Sequence, residues 1–244
     1  MSSSAPIDIS LVAPVYNEKE CIADFVREAD TELKKLGRSY EIVCADDCSS
    51  DGTREILINL KKDYPALRVI RLLRNQGQSG AFEAGIRAAH GKYVVLIDAD
   101  LQNDPADIGK LIAALETGEG AACAAGRRAQ RQDNFVRKIS SRIANRVRIW
   151  LTGDNIRDTG CSLKAFRAEY AKRMKVFRGM HRFFTTLVRM QGGRIVEIDV
   201  NHRPREKGTP KYGQGLGRTF TALRDAFAVR WMQSRALNSE AEEL

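Results

Sequence analysis

Tyr93-Val94-Val95-Leu96-Ile97-Asp98-Ala99-Asp100-Leu101-Gln102-Asn103-Asp104-Pro105 is the stretch whose reading decides the fold. Its first five residues are apolar and mostly β-branched, which predicts a strand buried on both faces, as in the middle of a parallel sheet. The run stops at two carboxylates one residue apart, followed by an amide and by a proline that opens a helix. In open α/β sheets, ligands bind just beyond the carboxyl ends of the strands. Asp98 and Asp100 project there on the same side of an extended backbone. Two hard oxygen donors with the Gln102 amide nearby suit Mg2+ or Mn2+, and a phosphorylated ligand would complete the shell. The plainer reading makes both aspartates solvated turn residues.

On either side of this strand the chain alternates. Strands are expected at 8–13, 40–45, 67–73 and 121–125, and helices at about 18–36, 53–63, 80–89 and 105–116. Such a βαβ series predicts an α/β, Rossmann-like, doubly wound and mostly parallel sheet with helices on both faces. Beyond residue 126 the character changes. Residues 134–151 read as a basic amphipathic helix, 163–172 and 180–191 as further helices, and 194–200 as a strand. A stripe of Leu216, Phe220, Leu223, Phe227 and Trp231 is expected to be core or a dimer surface rather than a lipid groove. We expect one domain over 1–237, with a nucleotide-binding half at about 7–126, a more basic half at about 127–237, and a frayed tail at 238–244.

Composition narrows the class. The 244 residues are 43% hydrophobic and 29% charged, ordinary for a globular protein, with room for a sizeable core. No apolar run is long enough for a transmembrane helix, and the first residues lack signal-peptide features, so a cytoplasmic chain is expected. Five cysteines without a CxxC pair and three scattered histidines argue against zinc and for reduced thiols. The net charge of +9 is concentrated between Arg127 and Arg148, where eight basic residues face one acidic residue. That patch implies a polyanionic partner: phosphate, nucleic acid or an anionic membrane surface.

Two earlier strands also end in acidic clusters. The first runs into Pro14-Val15-Tyr16-Asn17-Glu18, where an aromatic ring and a carboxylate could meet a nucleobase while Asn17 caps the next helix. The second runs into Asp46-Asp47-Cys48-Ser49-Ser50-Asp51-Gly52-Thr53, where one carboxylate could accept from a base N–H and Ser50 or Asp51 caps a helix. Three acidic strand ends on one sheet edge repel one another, and a divalent cation with a nucleotide relieves that repulsion. Neither GxGxxG nor GxxxxGK[ST] is present, which disfavours a dinucleotide-binding dehydrogenase and excludes a P-loop.

These motifs, with Arg74-Asn75-x-Gly77 and Asp98-Ala99-Asp100-Leu101-Gln102, resemble the family 2 glycosyltransferases of the GT-A fold. More narrowly, Asp158-Thr159-Gly160-Cys161-Ser162-Leu163-Lys164-Ala165-Phe166-Arg167 and His202-Arg203-Pro204-Arg205-x-Lys207-Gly208-x-x-Lys211-Tyr212-Gly213 resemble the polyprenyl-phosphate glycosyltransferases, the dolichyl-phosphate mannosyltransferases among them. The resemblance runs from about residue 9 to 231. It implies that Pro14, Tyr16, Glu18 and Ala99 line a nucleotide-sugar pocket and that Asp47 reaches the base. It further implies that Asp98, Asp100 and Gln102 serve the metal, that Arg127, Arg137 and Ser141 hold the acceptor phosphate, and that Arg203, Arg205 and Lys211 close over the diphosphate. Many relatives continue into transmembrane helices, whereas this sequence ends in a polar stretch. A lipid acceptor would then be met peripherally, at the cytoplasmic membrane face, or through a separate membrane protein.

The implied reaction is an inverting, metal-dependent transfer of sugar from GDP-mannose or a UDP-sugar to a polyprenyl phosphate. An alternative is a family 2 enzyme acting on a saccharide hydroxyl, which needs a general base, with Asp158 the candidate. A distant one is a non-catalytic nucleic-acid-binding protein, which leaves the three acidic strand ends unexplained.

Overall fold

The computed structural model describes residues 6–128, 149–205 and 216–236. Among these residues seven strands form one sheet in the order β3-β2-β1-β4-β6-β5-β7. They are β1 (Ile9–Val15), β2 (Tyr40–Asp46), β3 (Leu67–Arg71), β4 (Tyr93–Leu96), β5 (Ala121–Arg128), β6 (Lys164–Arg167) and β7 (Arg194–Val200). All pairings are parallel except those of β6, which runs antiparallel between β4 and β5. The decisive stretch behaves as read: Tyr93 to Ile97 are at most 1% exposed.

The helices are α1 (Ile22–Lys35), α2 (Thr53–Leu60), α3 (Gly77–Ala88), α4 (Ile108–Thr117), α5 (Ala168–Lys172), α6 (Phe184–Arg189) and α7 (Leu216–Ser234). They cover both faces, as the alternation in β1 requires. Ile9, Leu11, Ala13 and Val15 pack with Phe25 and Leu33 of α1 and with Leu111 and Leu115 of α4. Val12 points the other way, into a cluster with Phe82 and Ile86 of α3, Leu187 of α6 and Val229 of α7. Fully burying a side chain the size of Phe25 or Leu33 contributes roughly 1.5–3 kcal/mol. Phe184 meets Phe82 and Phe166 edge-on, with ring centroids 5.5 and 6.0 Å apart, and so pins α6 to α3 and β6.

Three expectations change here. The segment 163–172 is not one helix: Lys164–Arg167 is a strand, and only Ala168–Lys172 is helical. Pairing with β4 and β5 overrides the helix propensity of Lys, Ala and Arg. Residues 180–191 divide into a 3-10 turn at Met180–Arg182 and α6. The outer stripe of α7 is not core, because Leu223, Phe227 and Trp231 are 37%, 55% and 64% exposed. The side chains of Leu216 and Phe220, residues 134–148 of the amphipathic helix expected at 134–151, and the tail at 238–244 lie outside the described residues, while 149–152 are helical. All five cysteines are free thiols, and four are buried. No helix among the described residues is long and apolar enough to cross a membrane.

Candidate active site

Loops at the carboxyl ends of β1, β2 and β4 form the floor of a cleft of about 460 Å3. Among the described residues three non-glycine positions have left-handed backbone, and each lies in one of these loops: Asn17 (φ 54°), Cys48 (φ 66°) and Leu101 (φ 62°). Such conformations cost on the order of 1 kcal/mol each, so surrounding contacts must hold them. Asn17 shows how. Its N–H donates to Ser49 Oγ at 2.9 Å and its Oδ1 accepts from the Ser50 N–H at 2.9 Å, lacing the β1 loop to the β2 loop. Asn17 is therefore a loop tie rather than the expected helix cap, since α1 begins after Cys21.

Much of the acidic charge that the sequence gathers at this edge is answered locally. Asp46, fully buried, accepts from Arg54 Nε at 2.7 Å and from the Ser49 N–H at 3.1 Å. Asp47 accepts the N–H groups of Gln76 and Gly77 at 2.6 and 2.8 Å, the start of α3. Burial nevertheless raises its carboxyl above the usual range, against those two hydrogen bonds. Asp51 takes the Thr53 N–H and hydroxyl at 3.0 and 2.5 Å. Glu18, Asp98 and Asp100 are the carboxylates that face the cleft together with Asp47.

Asp98 accepts from Gln78 Nε2 at 2.8 Å. Burial first, and the neighbouring Asp100 charge second, push its carboxyl up to about 6, against donation from Ser162 and Gln78 and the charge of Lys164. Lys164 is 1% exposed, and its Nζ donates to the Cys161 and Thr159 carbonyls, holding the 159–162 loop against Asp98. Asp100 Oδ1 accepts the Gln102 N–H at 3.1 Å, and its Oδ2 is paired with Arg205. The same guanidinium approaches Gln102 Oε1 at 3.4 Å, and its buried Nη1 has no hydrogen-bond partner among the described residues. An isolated bridge between Asn103 and His202, with the Arg203 N–H on Gln102 O at 2.8 Å, delivers Arg205 to this point.

Among the residues expected in the site, Pro14, Tyr16, Glu18, Asp47, Asp98, Ala99, Asp100, Gln102 and Arg205 line the cleft. Two arginines do not. Arg127 forms a fork with Asp199, at 2.6 and 2.8 Å, on the exposed side of β5. Arg203 bridges Glu28 of α1 and Asp104 at 2.7 and 2.8 Å, which commits its charge to the scaffold. Arg137, Ser141 and Lys211 lie outside the described residues.

The model of glycosyl transferase family 2 matches residues 10–175. The chain belongs to that family. This family 2 chain is 36% identical over 229 residues to the dodecaprenyl-phosphate galacturonate synthase of Rhizobium johnstonii, covering 91% of the chain and 66% of the relative. It is 36% identical over 207 residues to the undecaprenyl-phosphate 4-deoxy-4-formamido-L-arabinose transferase of Edwardsiella ictaluri, covering 84% and 63%. It thus spans just under two thirds of the length of these curated relatives. In fold it is similar to the glucosyl-3-phosphoglycerate synthase of Mycobacterium tuberculosis in complex with Mn2+, uridine diphosphate and glucosyl-3-phosphoglycerate, with a TM-score of 0.67 at 18% identity over 96% of this chain and 82% of that one. The mannosyl-3-phosphoglycerate synthase of Rubrobacter xylanophilus gives 0.65 at 18%, over 97% and 77%. The fold is GT-A.

The family 2 chain also places in its cleft residues that sequence reasoning passed over. Arg128, next to the expected Arg127, lines the cleft and grips Asp158 through Nε and Nη2 at 2.7 and 2.8 Å. Gln78, Ser162 and His202 line it too. The last two belong to motifs already singled out, so their position was legible although no role was assigned. Gln78 carried no signal beyond its place at the start of a helix.

Proposed function

We propose that this chain transfers a sugar from a nucleotide-sugar donor to a polyprenyl phosphate, with inversion and with the help of a divalent cation. The observation that carries the reading is the pairing of charges in one cleft: Asp98 and Asp100 on its floor, Arg128 and Arg205 on its walls. Carboxylates suit a dication, and guanidinium forks suit phosphate. The names of the relatives, two of them polyprenyl-phosphate sugar transferases, support the acceptor class.

The donor set fits a hard dication. Asp98 carries a raised carboxyl partly because of Asp100, a repulsion that a dication relieves, and Gln102 supplies a third oxygen nearby. Among the described residues no three His, Cys, Asp or Glu side chains form a closed metal cage, which suits an ion shared with a diphosphate. When bound, such an ion offsets the charge that develops on the leaving diphosphate. Arg205, paired with Asp100, brings positive charge to the same cleft. Tyr16 and Pro14 offer apolar surface to a nucleobase, with Glu18 and Asp47 as acceptors.

The acceptor phosphate has a second pKa near ~6 by analogy with phosphorylated side chains, so it attacks as an anion and needs orientation rather than a strong base. Arg128 lines the cleft, and an acceptor phosphate there would have to share its guanidinium with Asp158. A single displacement then inverts the anomeric carbon. A saccharide hydroxyl acceptor would need a base, and the candidate Asp158 has both carboxylate oxygens held by Arg128. The continuous sheet from β1 to β7 supports one catalytic domain over 1–237. A lipid acceptor would put the work at the cytoplasmic membrane face.

A panel of nucleotide sugars with Mn2+ or Mg2+ and a short-chain polyprenyl phosphate tests the proposal. Metal-dependent formation of a lipid-linked sugar is expected from one donor. Release of nucleoside diphosphate to water alone, with every donor and lipid, overturns it.

A further inference from the structure

Helix α7 has two apolar sides. Ala226 and Val229, 4% and 0% exposed, pack into the core cluster beside α3 and α6, and Asp225 turns inward to Arg182 at 3.2 Å. On the far side Leu223, Phe227 and Trp231 recur every fourth residue and form an exposed ridge. Exposed Arg230 flanks the ridge on one side, and exposed Arg224 and Arg235 on the other. Asp225 is the sole acidic residue between 216 and 236. The helical turn at 149–152 docks on the end of α7 through Gln233 Nε2 to Thr152 O at 2.8 Å, and its Trp150 is 79% exposed.

We infer that this face of α7, with Trp150 beside it, is the surface by which the chain docks on an anionic lipid bilayer. The inference rests on the lipid acceptor proposed above, and it deepens that reading by naming the surface. Aromatic rings with arginines alongside suit the boundary between acyl chains and phosphate headgroups. Each basic residue near an anionic surface adds about 1 kcal/mol of attraction. Charge decides against the other occupants. A second copy would bring the same arginines face to face, and the 127–148 stretch, with eight basic residues and one acidic, brings no complementary charge either. The inward side of α7 leads by contacts toward the cleft. Arg182, paired with Asp225, adjoins His181, whose Nδ1 lies 2.8 Å from Ser79 Oγ. Ser79 follows Gln78, the donor to Asp98.

The chain contains two tryptophans, Trp150 and Trp231, and both are exposed, so intrinsic fluorescence reports on this surface directly. With phosphatidylglycerol vesicles we expect co-sedimentation, a blue shift of emission and quenching by lipids brominated on their acyl chains. Binding to phosphatidylcholine vesicles should be weaker by about tenfold or more. F227S/W231S should lose co-sedimentation, and R224E/R230E/R235E should lose the preference for phosphatidylglycerol. Both variants should keep sugar transfer to a detergent-dispersed acceptor, an assay that tests the functional reading independently of docking. No binding to phosphatidylglycerol, no quenching by brominated lipid, or a dimer that F227S/W231S dissolves would each overturn the inference.

Discussion

Gln78 Nε2 donates to Asp98 Oδ1 at 2.8 Å, so the first turn of α3 orients the aspartate that ends the central strand. Partners of this kind set the direction of a metal-binding carboxylate. Gln78→Ala should weaken Mn2+ binding by about 10–100-fold, measured from the paramagnetic resonance of free Mn2+, with an unchanged melting temperature. Asp98→Asn and Asp100→Asn should reduce transfer by at least about a hundredfold. Full activity in either aspartate variant would remove the basis of the proposed function.

Arg128 and Asp158 form a two-pronged, largely buried pair within the cleft. Arg128→Lys keeps the charge and loses the fork. We expect an acceptor KM about tenfold higher with the donor KM unchanged. Asp158→Asn, which leaves Arg128 without its counter-charge, should cost about 3 kcal/mol of stability in urea denaturation. Were Asp158 a general base instead, Asp158→Asn would also abolish turnover and remove the acidic limb of the pH–rate profile.

Glu41 lies at the opposite end of the sheet, 2% exposed. Burial would raise its carboxyl, but donation from Ser10, the His90 N–H and Arg68 outweighs burial and holds it below the ordinary 4.5. A lowered folded-state value means that the stabilisation is present above pH 4.5 and is lost as pH falls through the folded value below it. Glu41→Gln should cost about 1–3 kcal/mol at neutral pH, and the difference from wild type should shrink below pH 4.5. Denaturant midpoints taken across that range check it.

Gly126 has no room for a side chain. A Cβ there would lie 2.7 Å from the Leu163 carbonyl oxygen and 3.0 Å from Cys161 Sγ. Gly126→Ala should push β5 from the residues leading into β6, costing about 1–3 kcal/mol, and should misplace Arg128 two residues on. Thermal unfolding and the acceptor KM read the two effects.

The strand ends at Glu18, Asp47, Asp98 and Asp100 were legible because burial, alternation and an abrupt polar stop are local signals. What the local signals do not carry is what distant partners decide. Arg127 and Arg128 are neighbours on a strand, so they face opposite sides, and the choice between them is a one-residue register question that needs the sheet. The Lys164–Arg167 strand hides in a helix-favouring composition, and its buried lysine finds its acceptors only through the folded 159–161 loop. The periodicity of α7 located the ridge at Leu223, Phe227 and Trp231 without revealing that the small residues Ala226 and Val229 take the core side.

The antiparallel β6 gives synthesis an awkward order. β4 and β5 leave the ribosome well before the strand that joins them, so in a nascent chain ending short of residue 164 the β4 edge bearing Val94 and Val95 is raw and β5 lacks both of its partners, β6 and β7. Such edges invite pairing with other chains. The side of the cleft lined by Gly160, Cys161 and Ser162 therefore stays unfinished, with the β4 edge open to other chains, until the 159–167 segment has emerged and threaded the gap.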